Sequence, residues 1–305
     1  MMINRYLKYT TLSLSMTLIL IPVTVDANTT TVIVEPELVP LINAATELNQ
    51  YDIVLEQSEN VQQSMLEGNA RIVISSRKWT DNEVGLFYER YASTPIMLYF
   101  TADVAALLVH PDNAVEAVRM NELRAVFGCH ETETFVRWQG KNEVGNYVMP
   151  FAIEGELANH KNFSKLVDCQ PGTYSTTHFV ADRDALDEKL SNEVSALAYT
   201  VYVNPDVAED ALDIITDEGE TYSLDKETIL SGRYPLSNVY YMYLTPKSAQ
   251  IEANKPALPF IELVTQMQNN ELFQSHGFMS LPESAIVRNR VELSLQTPRV
   301  EGGYK

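Results

Sequence analysis

The order of apolar patterns along this sequence predicts an α/β protein of two lobes. Short apolar runs of strand length alternate with stretches of helical period from the first folded residues to the last. The 305 residues correspond to about two domains of roughly 150 residues each. Two apolar runs set close together, Pro95–Phe100 and Val104–Val109, suit a chain that crosses between lobes through a central strand.

Taken in order, Val32–Val34 reads as a first strand and Leu38–Leu48 as the helix after it. Tyr51–Leu55 is a second strand, and Glu59–Leu66 a helix closed by Gly68. Arg71–Ile74 is a third, buried strand. Thr80 with Glu83 three residues on forms a capping box that opens a helix over Asp81–Tyr91. Beyond the paired apolar runs, helices are expected over Asn121–Phe127, Ala158–Val167 and Asp182–Leu190, and a returning strand over Ala196–Val203. After Thr221-Tyr222 come a helix to Leu230, the Gly232–Pro235 turn and a strand over Val239–Leu244. A long amphipathic helix, Leu258–Phe273, is expected to stop at His276–Gly277, with His near its end and Gly as its cap. The partition this suggests is a leader over 1–27, lobe one over 28–101 plus 204–305, and lobe two inserted as 102–203.

Composition narrows the function. Asp and Glu number 41 against 22 Lys and Arg, a formal charge of -19. That balance argues against nucleic acid, which is held by Lys and Arg neutralising phosphates, and against adhesion to an anionic membrane surface. Charged residues make up 21% and hydrophobic ones 45%, interspersed and without low-complexity tracts, which argues against disorder. The 12 glycines in 305 residues are about 4%, where about 7% is usual.

Residues 1–27 read as a cleaved secretory leader. Arg5 and Lys8 form a basic start, Leu12–Ile21 a short apolar core, and Val25-Asp26-Ala27 places small residues where a signal peptidase needs them. About ten apolar residues are too few to span a bilayer comfortably, and no cysteine follows the core to carry a lipid. The exported chain is expected in the periplasm, one charge unit more negative and without a membrane anchor. In an oxidising compartment Cys129 and Cys169 can form a disulfide; two separate buried thiols are the alternative. With His130 and His178 near them a zinc site is conceivable, but the spacing matches no standard pattern.

The sequence contains no G-x-S-x-G, P-loop, G-x-G-x-x-G or H-E-x-x-H motif. Its five histidines are scattered, and acidic pairs such as Asp182/Asp184 fall on a solvated helix face. Nothing demands an enzyme or a cofactor. The feature that stands out is Ser75-Ser76-Arg77 at the end of the third strand, just before a helix. Open α/β sheets bind ligands beyond the carboxyl ends of their strands. Two hydroxyls and a guanidinium there can hold a carboxylate or phosphate. The local alternative is that Ser76 caps the next turn and Arg77 pairs with Glu83.

Several segments together resemble the phosphate-binding subunit of phosphate ABC transporters, within the type 2 periplasmic binding proteins. Ala70–Arg77 with Thr80 and Glu83 is similar to that family's Ser-Ser-Arg stretch. Pro95-Ile96 through Leu108–Asn113 is similar to its central strand, Leu123–Gly128 to the helix after it, and Trp138 falls where the family has a Trp. Ser231–Ser237 leading into Tyr240–Tyr243 resembles its Tyr-Pro-Leu signature, and His276–Phe278 with Leu281 its terminal Gly-Phe segment. The resemblance spans about residues 30–285. It implies two lobes, each a mixed sheet flanked by helices with lobe two inserted in lobe one, and a non-enzymatic, exported, monomeric solute-binding protein. Such a protein closes on a small ligand, phosphate by resemblance, and delivers it to an ABC permease.

The departures fall where the ligand would sit. The family's Gly-Ser-Thr loop after the first strand reads here Glu35-Pro36-Glu37-Leu38, and its Arg and Ser-Gly-Thr in lobe two read Glu154-Gly155-Glu156. Its later Gly-x-Ile-Gly-Tyr strand keeps Tyr199 and loses both glycines. The ligand-binding set is therefore expected to be Ser75, Ser76, Arg77, Glu35, Glu37, Leu38, Glu154, Gly155, Glu156 and Tyr199. A phosphate dianion wants helix N-termini, N–H groups and hydroxyls. A carboxylate about 4 Å away costs it on the order of 4 kcal/mol at an effective dielectric near 20, more than the roughly 1.5–3 kcal/mol one charge-assisted hydrogen bond returns. Three arrangements stay open: glutamates turned away from the cleft, a cleft retuned to an amine, another cation or a metal, and anion binding retained. The alternative function is a binding-protein-like module without a ligand, acting as a periplasmic sensor or protein-interaction factor.

Overall fold

The computed structural model describes residues 30–49, 53–128, 137, 147–155, 163, 166–167, 176–203, 211–246, 257–267 and 270–298. The expected leader, Cys129, Cys169, Trp138, Glu156 and most of the helix expected over Ala158–Val167 lie outside these residues.

The first βα units form as the sequence predicts, with shifts at their ends. Strand β1 (Thr30–Val34) leads through a 3-10 turn (Pro36–Leu38) into helix α1 (Val39–Asn49). Pro36 is tolerated there because the first helical turn has no partner for its missing N–H. Strand β2 (Ile53–Gln57) and helix α2 (Val61–Glu67) follow; the Asn60 side chain accepts from Gln63 N–H, and Gly68 ends the helix at φ 85°. Strand β3 (Ile72–Ser75) is wholly buried, and helix α3 (Asp81–Tyr91) carries the expected capping box, Thr80 and Glu83 each accepting the other's backbone N–H.

The two apolar runs are one strand, β4 (Ile96–Val109), 14 residues long. The polar interval Thr101-Ala102-Asp103 does not break it, because Ile96–Val104 pairs with β11 (Ser237–Leu244), Asp103 opposite Asn238. Past Val104 the partner changes: Ala105–Val109 pairs with β8 (Ala196–Val201). Strand β4 thus belongs to both halves of an eight-stranded sheet ordered β2-β1-β3-β11-β4-β8-β6-β7, where β6 is Met149–Ile153 and β7 His178–Val180. The fold is two-lobed and α/β, with mixed parallel and antiparallel pairing in each half.

Helix α4 (Met120–Phe127) and helix α5 (Arg183–Asn192), capped by the Asp182 carboxylate on Ala185 N–H, complete the second half. A separate three-stranded sheet pairs β5 (Ala117–Arg119) with β9 (Asp213–Ile215), and β9 with β10 (Thr221–Tyr222). The sequence partition assigned β9 and β10 to lobe one, yet their pairing is with β5 from the stretch expected in lobe two. Thr221–Tyr222 is strand β10, and the helix expected after it, α6, spans Lys226–Leu230.

The long helix expected over Leu258–Phe273 is two helices, α7 (Leu258–Thr265) and α8 (Asn270–Ser275). The break comes where Thr265 turns its hydroxyl onto the Ile261 carbonyl and Gln266 is extended at φ -116°, ψ 133°. A β-branched residue that back-bonds to its own helix weakens the next turn. Helix α9 (Glu283–Glu292) has no counterpart in the sequence reading; its Asn289 donates to the Tyr99 and Val264 carbonyls and accepts from Tyr99 N–H, locking it onto β4 and α7. Among the described residues no helix is long and apolar enough to cross a membrane.

Candidate functional site

Parallel pairing of β1 with β3 sets Val34 beside Ile74 and brings both carboxyl ends to one edge of the sheet. The next residues, Glu35 after β1 and Ser75-Ser76-Arg77 at the end of β3, meet there over a cavity of about 1170 Å³. That volume is at the upper end for small-molecule sites, so a small oxyanion fills only part of it unless the walls close.

One wall holds Glu35, Pro36, Glu37, Gln62, Ser76 and Arg77; the facing wall holds Gly155, Arg183 and Thr200. Asp103, Asn238 and Tyr240 come from the strands where the sheet changes partners, and His276–Phe278 closes one end. Of the expected site residues, the structure brings Glu35, Glu37, Ser76, Arg77 and Gly155 together. Glu156 lies outside the described residues, and the remaining four are corrected. Ser75 is fully buried beneath the cavity, its hydroxyl taking a 2.6 Å bond from Gln62 Nε2 and one from Arg77 N–H. Leu38, the last residue of the 3-10 turn, is fully buried in the core. Tyr199 is fully buried with its ring 4.6 Å from Phe163; strand alternation gives the cavity its neighbour Thr200 instead. Glu154 is exposed and does not line the cavity.

The Ser76 and Arg77 backbone N–H groups and the Arg77 guanidinium are already engaged within the chain. Ser76 N–H donates to Glu35 Oε1 at 2.8 Å. The Arg77 guanidinium is bidentate to Glu83, at 2.9 and 2.7 Å. That pairing, helped by the Thr80 backbone and hydroxyl, holds the Glu83 carboxyl down at about 2 against the cost of its burial. On the facing wall Arg183 donates to Asp187 at 3.0 Å and to Thr200 Oγ1 at 3.2 Å.

Acid from elsewhere lines the cavity in place of the expected Glu154. Glu35, Glu37, Glu59 and Asp103 line the cavity alongside Arg77 and Arg183. Burial, and then the Glu37 charge, push the Asp103 carboxyl up to about 7. The Tyr240 hydroxyl is raised well above its usual value by burial first and then by Asp103 and Glu37. His276 is fixed by a 2.9 Å contact of Nδ1 with the Leu272 carbonyl; a carbonyl only accepts, so Nδ1 carries the proton. Among the described residues no group of three or more His, Cys, Asp or Glu side chains is set to hold a metal ion.

Asp103, Arg183, Thr200 and Tyr240 were missed in the sequence reading. Asp103 carried a signal, the single charged residue of a largely apolar 14-residue strand, since a charge there needs a reason. Arg183 carried none, being one of several charged residues on a solvated helix.

A family model, the PBP superfamily domain, matches residues 27–266. The phosphate-binding protein PstS of Pseudomonas aeruginosa is 22% identical over 245 residues, 76% of this chain and 74% of that protein. Among solved structures, a possible phosphate binding protein from Planctomyces limnophilus superimposes with a TM-score of 0.64 at 16% identity, covering 87% of this chain and 97% of that one. PstS from Borrelia burgdorferi gives a TM-score of 0.50 at 15% identity, over 84% and 99% of the two chains. At these identities the structural likeness carries the fold.

Proposed function

The chain belongs to the PBP superfamily, and we propose that it is a non-enzymatic, periplasmic solute-binding protein of the phosphate-binding kind. It is exported by the leader over residues 1–27 and closes two lobes on a small ligand for an ABC permease. The observation that carries this reading is the cavity itself. It lies beyond the carboxyl ends of β1 and β3, where ligands of open α/β sheets sit, and draws cationic or hydroxyl groups from both walls: Ser76 and Arg77 on one, Arg183 and Thr200 on the other. The relatives named above supply phosphate as the cargo. Lobe one takes β1–β3, β11 and the C-terminal helices; lobe two is best drawn as about residues 105–236, so that β9 and β10 stay with their partner β5.

Within this reading Glu35, Glu37, Ser76, Arg77, Gly155, Arg183, Thr200 and Asp103 form the ligand site, with Ser75 supporting it from below. A thermal-shift panel of phosphate, sulfate, a polyamine and divalent cations tests the proposal. A ligand at about 100 times its dissociation constant adds roughly 2.7 kcal/mol of stability. Stabilisation by one oxyanion is expected; silence across the panel would remove the reading and favour a module that works without a ligand.

A further inference from the structure

We infer that Glu35 is a built-in competitor for the oxyanion, occupying with its own carboxylate the backbone donor that a bound phosphate would use. The inference rests on the proposed function and deepens it, assigning the specificity-determining residue of that same site.

Glu35 is 9% exposed, and its carboxylate sits 2.8 Å from the backbone N of Ser76, a cavity-lining residue that follows directly from the buried strand β3. Its reach is set by topology. The parallel register of β1 and β3 puts residue 35 beside residue 75, so a side chain two methylenes long arrives at the amide of residue 76. The backbone under it is fixed: Leu38 N–H donates to the Glu35 carbonyl at 3.1 Å, and Leu38 is fully buried. The side chain can therefore swing off Ser76 without unfolding the turn.

A carboxylate and a phosphate oxygen are the same kind of acceptor, and one N–H serves one strong acceptor at a time. Nearby, Ser75 Oγ accepts from Gln62 and from Arg77 N–H beneath the cavity, and the Arg77 guanidinium is paired with Glu83. An incoming oxyanion must displace Glu35 into a cavity that already contains Glu37 and Asp103. The competition lowers oxyanion affinity without abolishing it, and it acts on any tetrahedral anion, sulfate included.

The test is isothermal titration of inorganic phosphate and of sulfate into the wild-type protein, Glu35→Ser and Glu35→Gln. Serine clears the amide, whereas glutamine keeps the size and a weaker, neutral acceptor. Glu35→Ser is expected to bind phosphate about tenfold to hundredfold more tightly than wild type, with Glu35→Gln between the two. A folded Glu35→Ser with wild-type affinity overturns the inference, and leaves the proposed function standing where the wild type gives a saturable isotherm. If the serine variant does not fold, the glutamine variant decides: a gain supports the competition, and no gain overturns it. Phosphate binding by Glu35→Ser but not by wild type supports the inference and removes phosphate as the natural cargo. Absence of binding in every variant, with both anions, overturns inference and function together.

Discussion

The Glu35 carboxylate accepts a 2.8 Å hydrogen bond from the Ser76 backbone N–H, joining the loop after β1 to the end of β3 across 41 positions of sequence. It is the point at which the acidic composition of this chain meets its most anion-like feature. Removing the acceptor leaves that amide open to water. In Glu35→Ala, hydrogen exchange at Ser76 is expected to accelerate by about tenfold or more, the equivalent of about 1.4 kcal/mol of lost local protection. Mass-spectrometric or NMR exchange at that amide reads it, and unchanged protection would mean that another group holds the N–H.

The Arg77–Glu83 pair gives a pH-dependent stability. The Glu83 carboxyl, held at about 2 by Arg77 against an ordinary value of 4.5, is ionised in the folded state where the unfolded chain would be protonated. Its contribution is therefore present above about 4.5 and lost as pH falls toward about 2. Arg77 is 49% exposed and Glu83 17%, so solvent screening cuts the benefit to about 1 kcal/mol. Glu83→Gln, which keeps the capping box, is expected to cost about that at pH 7 and almost nothing near pH 2. Thermal unfolding of both proteins across that range checks it.

Asp103 works in the opposite sense. Its carboxyl is pushed up to about 7 by burial and then by Glu37, from 3.8. The folded protein keeps the proton that the unfolded chain releases, so stability falls as pH rises from about 3.8 to about 7. Asp103→Asn removes the ionisation. It is expected to match wild type near pH 4 and to exceed it in stability by a few kcal/mol at pH 8. A difference that does not grow with pH would show that Asp103 titrates elsewhere.

Gly277 ends helix α8 at φ 77°, and a Cβ added there meets nothing within 4 Å. The cost of Gly277→Ala is then backbone strain alone, about 1–2 kcal/mol. Gly68→Ala, at φ 85°, adds a 2.7 Å clash with the Arg90 guanidinium and should destabilise at least as much. Comparing the two by denaturant unfolding separates strain from crowding.

How much of this was legible in the sequence follows the range of the interactions. The end of β3 with Ser76 and Arg77, the Thr80–Glu83 box and the Gly68 and Gly277 caps are set by neighbours a few residues apart, and each could be read from local pattern. The two apolar runs read as two because Asp103 interrupts them; only β11, far along the chain, makes them one strand. The break after Thr265 depends on a hydroxyl turning inward, and α9 is held by Asn289 rather than by an apolar stripe. Within the site, the anion arm was visible and its occupation by Glu35 was not, because that contact is created by the parallel register of two strands. The acidity of the cleft was anticipated from Glu35 and Glu37, but its second half comes from Glu59 and Asp103.

One oxyanion is proposed to bind between the Ser76–Arg77 arm and Arg183. Isothermal titration of inorganic phosphate into wild type, Glu35→Ser and Arg183→Gln tests it most directly. Wild type is expected to give a saturable one-to-one isotherm, Glu35→Ser to bind more tightly, and Arg183→Gln to bind at least about tenfold more weakly, the loss of one charge-assisted hydrogen bond. No saturable heat from either wild type or Glu35→Ser, or an Arg183→Gln protein that binds as well as wild type, would contradict it.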